Sequence, residues 1–337
     1  MNLLTCACCG CHVIDETTDW VCAIVPALPE KEEEKEDEET LVECALAEDG
    51  YLFVANTTEK RVTAFVSIQS KDPIEAKDGK GRDVMMGRTT IRRSEDDDRL
   101  DAVHCVTLVM ILPPLTAIAP IRIEEPAEPT ISHLEFELEA HPDPMGTKQN
   151  VVPRFKCFPL QHGRGPYLCT QGFGGRLTHF FPESYHAVDF RCDVGTPVLA
   201  VADGRITEIS QSCHDTGIHC ENLMRWNSVT LEVSEEGYSV SYVHIKPDSA
   251  IVRVGQFVKA GDVLCQSGSV GFSPEPHLHI EVHRTDDLEG PSLRFELESG
   301  LEFEPDARDA TVPSRRISRF SAGKYYAPPP RRIGGDV

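Results

Sequence analysis

The sequence predicts an all-β protein built as two domains. Runs of β-branched and aromatic residues alternate with polar ones at period two, and short turn-forming clusters separate them. No long stretch shows the 3.6-residue periodicity of an amphipathic helix. A length of 337 residues with 40% hydrophobic content is enough for two cores.

Residues 1–40 are expected to be a disordered, cysteine-rich and acidic segment. Glu30 to Glu39 carries eight acidic residues and two lysines, a run that repels itself. Cys6-Ala7-Cys8-Cys9-Gly10-Cys11-His12 holds two overlapping C-x-x-C pairs. No second C-x-x-C follows at zinc-finger spacing, so a flexible terminus is favoured over a structural zinc or an acylation site. Thirteen cysteines, odd in number and irregularly spaced, do not imply a complete disulfide framework.

Residues 41–144 read as a β-sandwich-like accessory domain. Tyr51 to Ala55 and Arg61 to Ile68 are strand-like runs separated by the polar turn Asn56-Thr57-Thr58-Glu59. A polar segment, roughly 70–101, precedes the apolar run Ala102 to Leu112, which Pro113-Pro114 stops, and Ile131 to Leu138 alternates cleanly. His104 and Cys105 are expected in the core. Residues 145–166 read as a linker, 167–306 as the second domain and 307–337 as a basic, Pro-containing tail that wraps the surface or stays flexible. In the second domain Asp203-Gly204 is a strong hairpin signal, and Val229 to Val233 pairs by pattern with Tyr238 to Ile245.

The net charge of −22 argues against nucleic acid as a partner, because phosphate binding needs a basic face. No apolar run approaches the roughly 18 residues of a membrane span. The first residues lack the basic start and apolar core of a secretory signal. Nothing visible sends the chain out of the cell, its compartment is left open, and a monomer is expected.

Chemistry concentrates in Pro276-His277-Leu278-His279-Ile280-Glu281-Val282-His283. The alternation puts Leu278, Ile280 and Val282 on one face of a strand and His277, His279 and Glu281 on the other. Two imidazoles then point the same way, close enough for one to hold a metal while the other works beside it. Taken alone, a surface strand with two functionless histidines is an equal reading. Asp189, between Val188 and Phe190, is a carboxylate in an apolar strand and needs a partner, because burying an unpaired charge is costly. A partly exposed Asp or a salt bridge is the plainer explanation.

Four separated motifs occur in order at suitable distances. They are Val188-Asp189-Phe190 followed by Gly195 to Ile206; Tyr242-Val243-His244-Ile245; Val254 to Leu264; and Gly271 to Val282. Together they resemble the lysostaphin-like (LytM-type) zinc endopeptidases, which cut peptide cross-links of peptidoglycan. The resemblance covers residues 167–284. More loosely, Leu52 to Asn56, Leu112-Pro113-Pro114 and the stretch from Phe295 to Tyr326 resemble one branch of that family. The implied fold is a LytM-type β-sheet, the duplicated hybrid motif barrel. The implied zinc (Zn2+) ligands include Asp189 and His279, with His244 and His277 on the two catalytic histidine positions. His277 is given the base role and His244 the oxyanion role, an allocation the sequence lets one exchange. Many members carry a His four residues before the Asp, where this chain has Tyr185. The approach Gln171 to His179 resembles the branch in which a Ser-His or Thr-His supplies the first ligand, so His179 is expected as the third ligand and His186 is the alternative. If residues 186–190 form a strand, His186 and Asp189 face opposite sides.

The insertion Ser212 to Cys220, bracketed by Cys213-His214 and His219-Cys220, reads as a surface loop, with a second metal or a disulfide as alternatives. The expected function is a zinc-dependent metalloendopeptidase acting on peptidoglycan or another peptide substrate. Its rivals are a non-catalytic binding or activator module of the same fold, and a phosphotransfer carrier of related fold.

Overall fold

The computed structural model describes residues 4–5, 12–14, 40–80, 87–94, 97–124, 129–137, 152–163, 165–233, 236–303 and 314–328. The chain divides into two compact units, Met1–His141 with Gly217–Leu223, and Pro142–Thr216 with Met224–Val337. Among the described residues nearly all regular structure is β, and the 3-10 turn Cys220–Met224 is the one helical element. No helix among them is long and apolar enough to cross a membrane.

In the first unit, Thr130–Glu137, Val62–Ser70, Asp97–Leu112 and Gly87–Ser94 pair antiparallel in that order. A second sheet runs Val42–Leu46, Tyr51–Asn56, Thr116–Ile123, Ala76–Asp78. Their facing sides share one core that includes Leu52, Val54, Ala64, Val66, Ile68, Leu108 and Met110. Within the polar segment 70–101, Gly87–Ser94 and the start of Asp97–Leu112 form a hairpin, because a backbone ladder forms between main-chain groups. Cys105 is buried and His104 half-buried. Of the first 40 residues, Leu4–Thr5 and His12–Ile14 are short strands. The Cys6 to Cys11 cluster and the acidic run lie outside the described residues.

The far side of the Val62–Ser70 strand is buried as well, through Thr63, Phe65 and Ser67. Residues 217–223 of the insertion cover it. The Ser67 hydroxyl accepts the Cys220 N–H at 2.8 Å, Thr89 Oγ1 accepts the Ile218 N–H at 3.0 Å, and Thr107 donates to the Ile218 carbonyl. The insertion is therefore interior rather than a surface loop at this end, with Ile218, His219, Cys220 and Asn222 all buried. Cys213 and Cys220 are not joined by a disulfide, Cys213 donates to Asp215 Oδ2, and burial pushes the Cys220 thiol up to about 11, far from a reactive thiolate.

The second unit is organised on an eleven-stranded sheet. Its order is Arg154–Phe155, Glu296–Phe303, Tyr325–Ala327, Tyr167–Gln171, Val188–Arg191, His277–Arg284, Tyr238–Val243, Ser228–Val233, Gly204–Ser210, Phe257–Val258, with Arg315–Ile317 added on Glu296–Phe303. Pro197–Leu199 pairs with Val263–Gln266, and the core joins Val198, Leu264 and Cys265 to Phe190, Leu278, Ile280 and Val282. Segments with linker and tail composition take part in the fold. Phe155 from the one and Ile317, Phe320 and Tyr326 from the other are buried in this core. Apolar residues spaced among charges carry no periodicity long enough to show this in sequence.

Candidate metal centre

Strand register assembles the site. Gln171 lies opposite Asp189, Asp189 opposite His279, and His279 opposite Val243. Directly opposed residues project from the same face with Cβ atoms about 5 Å apart. One row therefore crosses four strands, and His244 follows immediately. A register shift between Cys169 and Gln171 breaks the regular alternation just before Gln171. Along His277–Arg284 the residues Leu278, Ile280 and Val282 are fully buried in the core, which commits His277, His279, Glu281 and His283 to the other face.

The structure brings His179, Asp189 and His279 together. His179 Nε2 is 3.2 Å from His279 Nδ1 and 3.2 Å from Asp189 Oδ1, and His279 Nδ1 is 2.9 Å from that same oxygen. Three ligand atoms of a tetrahedral zinc with bonds of about 2.0–2.1 Å stand about 3.3 Å apart, so the triangle fits a metal of that size. The remaining polar atoms of all three residues are engaged elsewhere. His179 Nδ1 donates to the Gly172 carbonyl at 3.1 Å, Asp189 Oδ2 accepts from Gln171 Nε2 at 2.9 Å, and His279 Nε2 faces Glu281 Oε2 at 3.1 Å. Those outer partners fix the tautomers that leave Nε2 of His179 and Nδ1 of His279 facing the triangle.

Burial alone would raise the Asp189 carboxyl, but His179, His277 and His279 outweigh it and hold it well below the usual carboxylate range. Burial also disfavours a charged His279, yet Glu281 and then Asp189 raise it to about 10. A protonated His279 and a metal-ligating His279 are different states. Asp189 and Glu281 flank His279, and the three residues of the triangle are of the types that could hold a divalent cation in place of that proton.

His277 and His244 stand beside the triangle. His277 Nε2 is 3.7 Å from Asp189 Oδ1, and the His244 ring centroid is 4.6 Å from that of His277 and 5.8 Å from that of His279. Each has its Nδ1 tied to a carbonyl, His277 to Glu275 at 2.8 Å and His244 to Val270. Nε2 is then the free nitrogen in each neutral ring. Burial, then the neighbouring His277 and His279, push His244 well below the ordinary imidazole range. Its backbone has φ of 61°, a left-handed conformation that costs a non-glycine residue about 1–3 kcal/mol and collects at functional sites.

His186 is elsewhere. It faces Ser292, its Nδ1 donating to the Ser292 carbonyl at 2.9 Å while its own N–H reaches Ser292 Oγ, and Phe173 and Tyr185 pack edge-on to it. Sequence reasoning gave no role to Gln171 or Glu281, the two groups that hold the triangle from outside. The signal for Glu281 was its place in the same alternating row as the two histidines. For Gln171 it was only a polar residue at an inward position of an apolar strand.

Residues 183–292 match the model of peptidase family M23. The second unit carries an M23 peptidase domain. Asp189, His244, His277 and His279 lie within the matched residues, and His179 lies just before them. Among curated proteins the chain is similar to lysostaphin from Staphylococcus simulans, 32% identical over 36% of this chain and 20% of the relative. It is also similar to the glycyl-glycine endopeptidase ALE-1 from Staphylococcus capitis, 33% identical over 36% of this chain and 28% of the relative. The chain thus spans between a fifth and about three tenths of the length of these relatives. The solved catalytic domain of the antimicrobial peptidase lysostaphin from Staphylococcus simulans aligns at 29% identity over 37% of this chain and 81% of that one, with a TM-score of 0.26. The M23 domain is of the lysostaphin-like, LytM type, and its sheet carries the row of site residues described above.

Proposed function

We propose that the M23 domain is a zinc-dependent metalloendopeptidase that hydrolyses peptide bonds in peptidoglycan cross-bridges, with His179, Asp189 and His279 as the metal ligands. The observation that carries this reading is the triangle of ligand atoms 2.9–3.2 Å apart, each residue anchored by an outer partner. Its two nitrogens and one oxygen are a donor set zinc favours in catalytic sites, which leave a position open. Bound there, zinc polarises a carbonyl and lowers the pKa of water toward about 7.

The chain's own residues do the rest. Asp189 stays ionised, as its neighbours require, and balances the cation's charge. His277 and His244 each keep Nδ1–H on a backbone carbonyl and turn a bare Nε2 inward. Burial, then the neighbouring His277 and His279, lower the proton affinity of His244 and make it a poor proton acceptor, which leaves the base role with His277 as expected from sequence. The proton that His277 takes from water at Nε2 is the one it then returns to the departing amine. The position of the cleaved bond among small residues follows the glycyl-glycine specificity named for one relative. A binding-only module or a phosphocarrier has no need of a complete carboxylate–imidazole triangle with two further histidines.

The test is metal analysis of the purified full chain together with hydrolysis of peptidoglycan and of its isolated cross-bridge peptides. About one zinc per chain, with hydrolysis lost on chelation and restored by zinc, is expected. Folded protein that neither binds zinc nor cleaves either substrate would overturn the proposal.

A further inference from the structure

We infer that Gln171 is a positioning residue of this metal centre, one buried amide that sets two of the three ligands at once; the inference rests on the metal-site reading above. The Gln171 side chain is used at both ends. Its Nε2 donates to Asp189 Oδ2 at 2.9 Å and to Thr178 Oγ1 at 3.0 Å. Its Oε1 accepts the backbone N–H groups of Leu177 and Thr178 at 3.0 Å each, with the His179 N–H at 3.4 Å. Gln171 is itself 7% exposed, so these bonds form away from water, where an unpaired partner costs most.

The two ends do different work. The donor end occupies the outer oxygen of Asp189, leaving Oδ1 alone in the triangle, so the carboxylate offers one oxygen and a coordination position stays open for water or substrate. The acceptor end gathers three consecutive amides and closes the loop 172–178 so that His179 enters the triangle from outside the strand row. That hub works with the Gly172 carbonyl on His179 Nδ1 and the Ser184 hydroxyl on the Thr178 carbonyl to fix where the loop ends. Only an amide has a donor and an acceptor placed to do both. A carboxylate would face Asp189 with like charge, and a hydroxyl could not span the gap.

The loop is also shaped around this side chain. A Cβ at Gly175 would stand 2.2 Å from Gln171 Cγ and 2.7 Å from Oε1, so the loop closes only with glycine there. That contact gives a second handle which leaves the amide itself intact.

The experiment compares Gln171→Glu, Gln171→Ala and Gly175→Ala with the full wild-type chain. It measures zinc affinity by chelator competition, the visible spectrum with cobalt, and the unfolding temperature of the metal-free protein. Outer-sphere partners of metal ligands are typically worth 10–100-fold in affinity. Gln171→Glu keeps the acceptor end but turns a second carboxylate toward Asp189, so it should weaken zinc by about 10-fold or more, with an altered cobalt spectrum, and lower the metal-free unfolding temperature while the chain stays folded at the assay temperature. Gln171→Ala and Gly175→Ala should weaken zinc by up to about 100-fold. Wild-type zinc affinity in Gln171→Glu would overturn the inference even if Gln171→Ala failed to fold, as would an affinity loss that only tracks the fraction unfolded. If the wild-type chain itself binds no zinc, the metal-site reading fails, an outcome these variants do not mimic.

Discussion

Two central strands with the same alternation behave differently. In Val62–Ser70 one face is apolar core and the other carries Thr63, Phe65 and Ser67. In His277–Arg284 one face is apolar core and the other carries His277, His279, Glu281 and His283. Both polar faces are largely buried. The first holds neutral groups only: Ser67 accepts the Cys220 N–H and meets Thr107 at 2.8 Å, while Thr63 Oγ1 is buried with no hydrogen-bond partner among the described residues. The second packs titratable groups against one another and displaces their proton affinities in both directions. Burial opposes ionisation of Glu281, yet His279 and His283 lower its carboxyl well below the usual range, and Glu281 in turn raises His283. A buried face with only hydroxyls and an aromatic ring has no group to titrate and is structural. One that gathers carboxylates and imidazoles within 4 Å is poised to take a cation.

The sharpest break in that comparison should come from the imidazoles. His279→Ala is expected to lose zinc and at least about a thousandfold in hydrolysis, because a triangle corner disappears. His277→Ala and His244→Ala should retain metal and lose about 10²–10⁴-fold in turnover. Metal analysis beside cleavage rates separates the two classes, and retained zinc in His279→Ala would remove it from the ligand set.

Acid should act on the second strand and on Asp189 beside it. Asp189 and Glu281 titrate in the folded chain below their ordinary values of 3.8 and 4.5. Their ionised forms therefore contribute stability above those values, and the contribution is lost as pH falls through the depressed folded values. Urea unfolding of chelated protein should show stability declining below about pH 4.5, with a shallower decline in Glu281→Gln. An unchanged slope in that variant would mean Glu281 is not ionised in the folded chain.

Ser67→Ala should cost about 1–3 kcal/mol in the first unit by stranding the buried Cys220 N–H, with zinc content unchanged, as read by urea unfolding and metal analysis. His186→Ala is expected to have the smallest effect. It loses the bond to Ser292 and about 1 kcal/mol, with zinc affinity within a few-fold of wild type. A large fall in affinity would return His186 to the ligand set in place of His179.

The sequence by itself determined what period two can fix. Apolar Leu278, Ile280 and Val282 force His277, His279 and Glu281 onto one face, and the β-branched runs with their turns make the chain all-β. The motifs around Asp189 and His244 carried the family. Tertiary structure alone decided which strands are neighbours and in what register, so that Gln171, Asp189 and His279 form one row. It also decided that His179 rather than His186 enters the triangle, since a loop's end point depends on its closing contacts with Gln171, Gly172 and Thr178 and not on spacing. The same holds for residues 217–223 inside the first unit and for Ile317, Phe320 and Tyr326 in the second core. Alternation is a property of a few adjacent residues, whereas register, loop closure and the burial of isolated segments come from contacts between residues far apart in the chain.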